Sequence, residues 1–354
     1  MKYKQILSIY LIILVWLSSP YYQINAMTNC AVIKWTFAMS GILFGGLNIC
    51  IKMVLDSTVC LSHECCTDRA RYHYLTNTMI ESLRRDIFGQ ELAVQTMGNI
   101  FKRYQMSQNS FKNNKIFLFH GDIGTGKSYA ASLLAHHLFP QGIHSRLVMN
   151  FDLVNILDDK NNDIFQANQW LTNQILKLSR LCYAGVIILE RWDEVNLCQF
   201  NVIDSIVGNR IGDPNQMKFR RMTFIFISTM GSAEINNATI AAYSNNLLRG
   251  DFQDRQIYHQ IAALITDKVP QFASIDSLIN IIVPFLPLQR IHIKQCALHA
   301  ISTTTEVLVN QDRKAQLAEH IANSVSYHTI SKFQFAKWGC KRVYDILNAA
   351  LLVE

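Results

Sequence analysis

Short, uninterrupted apolar runs alternate with longer segments of mixed polarity through the centre of the chain. Each run has the length of a strand, and the absence of polar positions within it predicts a strand buried on both faces. The predicted strands span residues 116–119, 146–150, 185–190 and 222–228. Helix-compatible segments surround them at residues 72–105, 129–139, 164–182 and 197–207. Strands that alternate with helices predict an α/β fold with a doubly wound parallel sheet, whose ligands bind at the carboxyl ends of the strands.

The pattern changes near residue 270, beyond which it predicts helices only. These helices span residues 289–304, 312–327 and 338–352. Residues 284–287, Pro-Phe-Leu-Pro, are too apolar for a linker and predict a rigid joint. We therefore assign residues 56–269 to an α/β domain and residues 270–354 to a small helical lid domain that packs on the ligand site.

The first 26 residues have the pattern of a signal peptide. Lys2 and Lys4 precede an apolar core at residues 6–17, and a polar stretch then ends at Ala26, the predicted cleavage position. The pattern predicts that the chain enters the secretory pathway.

A second apolar stretch, residues 35–51, lies between Lys34 and Lys52 and contains no charged residue. It is at the short limit for a membrane span, which takes about 20 residues, and Asn48 makes it more polar. Three interpretations remain: a segment that lies in one leaflet, a segment that crosses the bilayer, and a buried amphipathic helix of the soluble domain. We assign residues 27–55 to a hydrophobic, membrane-associating segment.

The strand predicted at residues 116–119 leads directly into a glycine-rich loop. The sequence Gly121-x4-Gly126-Lys127-Ser128 fits the phosphate-binding pattern G-x-x-x-x-G-K-[ST], with a predicted helix behind it. Glycines let backbone N–H groups surround phosphate oxygens, Lys127 adds positive charge on the β/γ side, and Ser128 is left to ligate Mg²⁺. The predicted nucleotide-binding residues are Gly121, Asp122, Ile123, Gly124, Thr125, Gly126, Lys127, Ser128 and Tyr129.

Composition adds few constraints to this interpretation. The 354 residues carry a formal charge of +7, but only 17% are charged, which favours a mildly basic surface over a nucleic-acid-binding one. Nine cysteines are compatible with disulfides in a chain that enters the secretory route. Cys60, His63, Cys65 and Cys66 leave a zinc site open as an alternative, although their spacing matches no common finger pattern.

Motifs along the chain also resemble those of a known family. They are Glu64-Cys-Cys66, Phe88-Gly-Gln90, Gly124-Thr-Gly-Lys127, Phe224-Ile-Phe-Ile-Ser228, Val283-Pro-Phe-Leu-Pro-Leu288 with His292 and Cys296, and Gly339-Cys-Lys341. From about Cys60 to its C-terminus the chain resembles a torsin, an AAA+ ATPase of the endoplasmic reticulum lumen and nuclear envelope. A signal peptide followed by a short hydrophobic segment is also how torsins begin.

The resemblance implies an AAA+ P-loop fold that binds ATP with Mg²⁺. Lys127 would hold the β/γ-phosphates, Ser128 and Glu190 the metal, while Thr229 would take the sensor-1 position and Lys341 the sensor-2 position. The implied catalytic residues are therefore Lys127, Glu190, Thr229 and Lys341, and Lys341 also joins the nucleotide-binding set. The implied partners are further copies of the chain, the luminal membrane surface, and a membrane-anchored cofactor whose luminal domain supplies an arginine finger.

The resemblance further implies a redox-sensitive disulfide between Cys296 and Cys340, next to Lys341. Its closure would couple the redox state to nucleotide affinity. Two buried, unpaired thiols are the alternative.

Several positions depart from the torsin pattern. Ser128 replaces the usual asparagine, which favours ordinary Mg²⁺ binding. Torsins end the acidic strand with Asp-Glu, whereas this chain has Glu190-Arg191, and a guanidinium cannot act as a general base, although its charge would suit the γ-phosphate. Thr229 replaces an asparagine. General-base and water-orienting groups contribute about 10²- to 10⁴-fold in rate, so slow or absent hydrolysis is predicted. Asp193-Glu194 could instead be aligned with the torsin Asp-Glu pair. That alignment would place residues 190–192 inside the buried strand and leave an unpaired charge there.

Two further sequence features do not belong to the predicted nucleotide site. Arg249 is near the position of an arginine finger in other AAA+ proteins, and we predict it to be a surface residue instead. Asn237-Ala-Thr239 is a glycosylation sequon, usable if the chain is luminal.

Two hypotheses for the function follow. In the first, a torsin-like ATPase acts as a chaperone on membrane or nuclear-envelope organisation through membrane partners, with slow or cofactor-dependent hydrolysis. In the second, a hydrolysis-deficient, nucleotide-gated module recruits partners without chemistry. A P-loop kinase or transferase fits poorly, because Gly339-Cys-Lys341 has no place in one.

Overall fold

A computed structural model describes residues 70–106, 115–182, 184–195, 222–247, 249–253, 255–266, 280–304, 311–330 and 332–352. The chain divides into two compact units, Met1–Cys65 and Cys66–Glu354, and every described residue belongs to the second. The predicted signal peptide, the hydrophobic segment 27–55, the cysteines between residues 60 and 66 and the predicted helix at 197–207 lie outside the described residues. No helix within the described ranges is both long enough and apolar enough to cross a membrane.

The described part of the chain alternates between strands and helices up to residue 285 and is mostly helical afterwards. The helices are α1 (Ala70–Asp86), α2 (Glu91–Met106), α3 (Lys127–Leu138), α4 (Leu153–Asp159), α5 (Ile164–Leu181), α6 (Ser232–Ser244), α7 (Arg255–Thr266), α8 (Arg290–Thr304), α9 (Gln311–Ser324) and α10 (Val343–Leu352). The strands are β1 (Lys115–Gly121), β2 (Val148–Asp152), β3 (Val186–Glu190), β4 (Thr223–Ser228), β5 (Asn280–Phe285), β6 (Tyr327–Ile330) and β7 (Phe333–Ala336).

The first five strands form one parallel sheet in the order β2-β3-β4-β1-β5. Alternate residues of β1 enter the cores on opposite faces of this sheet. Ile116 and Leu118 belong to the core that contains α5, whereas Phe117 and Phe119 belong to the core that contains α1, α2 and α3. Because both faces are covered, residues 116–119 of β1 are all apolar, and the predicted doubly wound parallel α/β fold is confirmed.

The prediction that only helices follow residue 270 is wrong. β5 lies in the sheet and pairs with β1, with Pro284 opposite His120. A proline is tolerated in β5 because this strand is at the edge of the sheet, where one side of its backbone needs no partner strand. Pro284 and Pro287 make residues 284–287 resemble a rigid joint, so the sequence pattern does not indicate the apolar strand β5.

A smaller core holds together residues 288–351 of the second compact unit, which we call the C-terminal unit. It includes Ile293 and Ala297 of α8, Ile321 of α9 and Leu347 of α10. The antiparallel hairpin β6–β7 belongs to the same unit, and it too is absent from the helices-only prediction. The hairpin is missed because its strands are only four residues long, too short for alternation to distinguish them from a helix end.

Two further boundaries differ from the predicted ones. β2 begins at Val148 rather than at residue 146. The single helical segment predicted at residues 72–105 is two helices, α1 and α2, separated at residues 87–90, where Gly89 has a positive φ of 67°. Glycine adopts this conformation without the steric cost that a side chain would add, so the chain can turn here.

The two-sided core makes a direct prediction for a pair of phenylalanines. Phe117 has no exposed surface and stacks on Phe101 with ring centroids 5.5 Å apart, whereas Phe165 is 74% exposed. We expect Phe117→Ala to lower the free energy of unfolding by about 3–5 kcal/mol, through lost burial and the cavity left behind. Phe165→Ala should change it by less than about 0.5 kcal/mol. Denaturant titrations followed by circular dichroism measure both values, and equal losses would contradict the assignment of the core.

Candidate functional site

The glycine-rich loop lies between the end of β1 and the start of α3. Gly126, with φ of 104°, is the N-cap residue of α3, so the first backbone N–H groups of that helix face the loop. Unpaired N–H groups and the helix dipole favour an anion at this position. The local geometry is therefore that of a phosphate-binding loop.

Lys127 is the buried cation of this loop. Its Nζ donates hydrogen bonds to the carbonyl oxygens of Gly121 and Asp122, each at 2.7 Å. Burial lowers the pKa of Lys127 to about 8, opposed by the negative charges of Asp122, Asp193 and Glu190. The ammonium group is thus held inside the loop, where an anionic ligand would stabilise its charged form.

Glu190 connects the loop to the end of β3. Its Oε2 accepts a hydrogen bond from Ser128 Oγ at 2.9 Å, and its Oε1 accepts one from Asn150 Nδ2 at 3.1 Å. A hydroxyl and a carboxylate are hard oxygen donors, the kind of ligand that Mg²⁺ takes when it is held by one or two protein groups and substrate phosphates. The residues present therefore fit a magnesium ion. Asn150 was missed by the sequence analysis, although it lies near the end of a predicted strand.

Arg191 is paired within the chain. It has a left-handed backbone conformation, with φ of 53°, immediately after β3. Its Nε donates to both carboxylate oxygens of Asp152, at 2.9 and 2.8 Å, and its Nη2 donates to Asn155 Oδ1 at 2.7 Å. Hydrogen bonding to Asp152 raises the pKa of Arg191, so this side chain remains a cation and cannot accept a proton.

Asp193 approaches the end of β4 through a turn. β3 ends at Glu190, and the short 3₁₀ turn Trp192–Glu194 follows, with Trp192 fully buried. Asp193 Oδ2 accepts hydrogen bonds from the backbone N and Oγ1 of Thr229, each at 3.2 Å, and from the backbone N of Met230 at 3.1 Å. The strand thus ends on Glu190, as the sequence interpretation requires, while Asp193 contacts the predicted sensor-1 residue.

His120 is the last residue but one of β1, where it pairs with Ser228 at the end of β4. The ring is buried, and because its partner is the carbonyl oxygen of Met230, 3.0 Å away, Nδ1 must be the donor. Burial lowers the pKa of His120 to about 4, so the ring is neutral at physiological pH. No sequence motif indicates this residue.

The C-terminal unit contacts the loop directly. The short 3₁₀ turn Gly339–Arg342 carries Lys341, whose side chain is exposed, and the backbone N of Cys340 donates to Gly124 O at 2.9 Å. Cys340 is also joined to Cys296 of α8 by a disulfide. The predicted sensor-2 residue Lys341 and Cys340 of the predicted pair therefore lie on the turn that contacts the loop, and the disulfide ties this turn to α8.

A buried polar junction joins the same loop to the start of the C-terminal unit. Gln90 donates to Thr125 O at 3.0 Å and to Leu286 O at 2.8 Å, and it accepts from the backbone N of Leu286 at 2.7 Å. The prediction that Arg249 is a surface residue is wrong. Arg249 is 9% exposed and donates to the carbonyl oxygens of Gly89 and Pro287, because these buried acceptors need a partner.

Sheet, loop and contacting helical unit together define the class of protein. A P-loop follows the central strand β1, an acid ends β3, and a C-terminal helical unit contacts the loop. This α/β architecture is the AAA+ fold, a nucleotide-binding fold. Solved structures agree. The chain is similar to Hsp104 in a complex with ATPγS and FITC-casein, with a TM-score of 0.56 and 16% identity over 80% of this chain and 48% of that one.

A second Hsp104 structure, the Saccharomyces cerevisiae Hsp104–ADP complex, gives a TM-score of 0.54 at 16% identity, over 80% of this chain and 49% of that one. The chain thus spans about half the length of the Hsp104 chains that it matches. At this level of identity the likeness concerns the fold.

Sequence comparisons show which proteins of that class this chain is similar to. A sequence profile of the family described as Torsin matches residues 60–189. A torsin-like protein of Caenorhabditis elegans is 28% identical over 87% of this chain and 84% of its own length. A torsin-like protein of Drosophila melanogaster is 26% identical over 96% of both chains, and Torsin-3A of Rattus norvegicus is 22% identical over 84% of this chain and 75% of its own. Over residues 60–189, and over most of these relatives' lengths, the chain is similar to torsins.

The contact between the loop and the C-terminal unit makes a testable prediction. Gly124 has φ of 73°, and a Cβ there would lie 2.0 Å from the carbonyl oxygen of Trp338. We expect Gly124→Ala to separate the loop from the turn Gly339–Arg342, to lower the free energy of unfolding by more than about 1 kcal/mol and to weaken nucleotide binding at least tenfold. Gly250→Ala is the matched control, because a Cβ at Gly250 meets nothing within 4 Å.

Thermal unfolding and titration with a fluorescent ATP analogue measure the two effects. Equal behaviour of the two alanine variants would show that the close contact at Gly124 does not matter.

Proposed function

We propose that this protein is a torsin-like AAA+ protein that binds ATP with Mg²⁺. The observation that carries the proposal is the arrangement around Lys127. This buried cation lies between the backbone of the glycine loop and Glu190, which is itself bonded to Ser128. Positive charge, helix N–H groups and oxygen donors for a metal are thereby collected at one edge of the sheet.

Each residue would have a distinct part in holding the nucleotide. The backbone of Gly121 to Tyr129 and the Lys127 ammonium would bind the phosphates. Ser128 and Glu190 would hold Mg²⁺, which supplies positive charge at the β- and γ-phosphates. Thr229 would occupy the sensor-1 position, and Lys341 would reach the nucleotide from the C-terminal unit as the sensor-2 residue.

We place this activity in the endoplasmic reticulum lumen and the nuclear envelope, at the luminal membrane surface. Three features support this setting: the similarity to torsins over residues 60–189, the signal-peptide pattern of residues 1–26 and the apolar segment at 27–55. There the protein would act as a chaperone-like ATPase on membrane or nuclear-envelope organisation, as a homo-oligomer and through membrane partners. Asn237 is exposed on α6 and would be available for glycosylation in that compartment, although Thr239 is buried.

Hydrolysis in this proposal is slow or depends on a partner. Arg249 is bonded to backbone carbonyl groups of its own chain, so it is not presented to a neighbouring subunit. An arginine finger would then come from a membrane-anchored cofactor with a luminal domain, as the resemblance to torsins implies, and such a finger contributes about 10³- to 10⁵-fold in rate. The Cys296–Cys340 disulfide, adjacent to Lys341, would make nucleotide affinity sensitive to redox state.

A second function is favoured by one specific observation. Arg191 occupies the position of the torsin glutamate, and its side chain donates hydrogen bonds to Asp152. Without an acid at that position the protein would bind ATP, adopt the shape that recruits partners and leave the nucleotide intact. This alternative is a pseudo-ATPase that acts as a nucleotide-gated interaction module.

Titration calorimetry with Mg-ATP on the full chain tests nucleotide binding, which both functions require. We expect Lys127→Ala to weaken binding by at least about 100-fold, because it removes the charge that faces the phosphates, whereas Lys177→Ala, on the exposed side of α5, should bind like the unaltered chain. Absence of binding heat from the unaltered protein would remove both functions.

The role of Arg191 has its own test. We expect Arg191→Glu combined with Glu190→Asp to raise the steady-state rate of phosphate release by at least tenfold, because the pair recreates the Asp-Glu of the torsin pattern and places a glutamate where it can activate the water. Arg191→Gln combined with Glu190→Asp is the matched control, since it removes the positive charge without supplying a base. The same rate in both double variants, or no gain in either, would show that the missing acid is not the cause of slow turnover.

A further inference from the structure

We infer that Asp193 is the general base for ATP hydrolysis in this chain, taking the part that Arg191 cannot play. The inference rests on the proposed binding of Mg-ATP and goes beyond it, since it names the group that activates the attacking water. It depends on how the Asp193 carboxylate is held, on what it faces, and on what the neighbouring carboxylates already bind.

The backbone holds Asp193 in a defined place. Trp192, the residue before it, is fully buried in the core beneath the sheet edge, which fixes the 3₁₀ turn after β3. One carboxylate oxygen, Oδ2, takes all three hydrogen bonds from Thr229 and Met230 at the end of β4. The side chain therefore bridges two neighbouring strands at their carboxyl ends, where ligands of such sheets bind.

The second oxygen of this carboxylate remains open. Oδ1 of Asp193 accepts a hydrogen bond from none of the residues that the structure describes, and the side chain is only partly buried. An acid that is anchored by one oxygen and open at the other combines fixed orientation with a vacant lone pair, which proton abstraction requires.

The charge of Asp193 acts on the phosphate-binding lysine. It is one of the three acids that oppose the burial effect on Lys127, the others being Asp122 and Glu190. It also acts on buried His120, at the end of β1. Asp193 thus lies close enough to the phosphate loop to interact with its cation.

The other acids around the loop either bind other partners or make no contact with Thr229. Glu190 uses both oxygens, on Ser128 and Asn150. Asp152 binds Arg191, and Glu194 is exposed on the same side, 4.0 Å from that guanidinium. Asp122 Oδ1 accepts the backbone N–H of its own neighbour Ile123 within the loop. Among these described acids, Asp193 is the one that combines an open oxygen with contact to the sensor-1 residue.

The chemical step balances with water as the co-reactant. The water oxygen attacks the γ-phosphorus while the bond from that phosphorus to the β,γ-bridging oxygen breaks, and ADP leaves with the bond electrons. A water proton passes to Asp193 Oδ1 and is then returned to the inorganic phosphate that forms. Thr229 Oγ1, whose hydrogen points to Asp193 Oδ2, offers its lone pairs to the same water.

The test uses the full chain with three variants. Asp193→Asn keeps an acceptor oxygen for the three donors but removes the basic group, and Asp193→Glu keeps the base on a longer side chain. Glu194→Gln is the matched control, because it neutralises the adjacent acid, which is exposed and contacts Arg191 only at 4.0 Å. Equilibrium binding uses a fluorescent ATP analogue. Hydrolysis is followed under single-turnover conditions, with protein in excess over radiolabelled ATP, so that slow rates are measurable.

We expect Asp193→Asn to lose at least 100-fold in the single-turnover rate, while its ATP affinity stays within about threefold and its thermal unfolding temperature is unchanged. Asp193→Glu should recover part of the rate, and Glu194→Gln should match the unaltered chain. A purely structural role for Asp193 would instead lower thermal stability and affinity together and give no recovery with glutamate.

Three results would overturn the inference: an Asp193→Asn variant that hydrolyses ATP at the unaltered rate, an equal loss in Glu194→Gln, or an unaltered chain that binds ATP and never hydrolyses it. Failure of the unaltered chain to bind ATP at all is a different result, since it removes the proposed function itself.

Discussion

The parallel register of β3, β4 and β1 is the constraint on which the site depends. Glu190 pairs with Ile227, and His120 pairs with Ser228, so the three strands end at nearly the same level. The carboxyl ends of neighbouring parallel strands lie about 4.8 Å apart, which brings side chains that are distant in sequence within hydrogen-bonding reach. A shift of one residue in either pairing would move Glu190 or Thr229 to the other face of the sheet.

The connection from this edge to the C-terminal unit is made mainly by backbone groups. Gly124 O accepts from Cys340, Thr125 O accepts from Gln90, and Leu286 exchanges two hydrogen bonds with Gln90. Because these bonds use the loop's own carbonyl groups, a change in loop conformation on ligand binding would alter the same contacts that hold the C-terminal unit. The loop and that unit are therefore mechanically coupled through these hydrogen bonds.

The sequence predicted the fold well where burial on both faces produces continuous apolar runs. β1, β3 and β4 are such strands, and the loop after β1 has a spacing that few other structures require. β5 was missed because Pro284 suggests a break, and only its position at the edge of the sheet explains why the proline is tolerated. The hairpin β6–β7 was missed because each strand is too short to show alternation.

Long-range polar pairing was harder to predict than the strands. Arg249 has no sequence neighbour that would bury it, and its partners Gly89 and Pro287 are far away along the chain. Asn150 and Asp152 were missed for the same reason, and Asp193 was considered only in an alternative alignment that was set aside. Each lies at or just after the end of a strand, which was the available signal, but the identity of each partner depends on strand order. Sequence spacing alone does not reveal that order.

The pairing of Arg191 shows how a substitution that removes a catalytic acid is tolerated by the fold. A guanidinium beside Lys127 would add repulsion in a partly buried site, but Asp152 binds it in two places and also caps α4 by accepting the backbone N–H of Asn155. This arrangement neutralises the added charge at the end of β2, away from Asp193, which is anchored on β4 instead. Asp152 and Asp193 therefore bind different partners. In the proposed site, Ser128 and Glu190 would hold the metal, while Asp193 and Thr229 would face the attacking water.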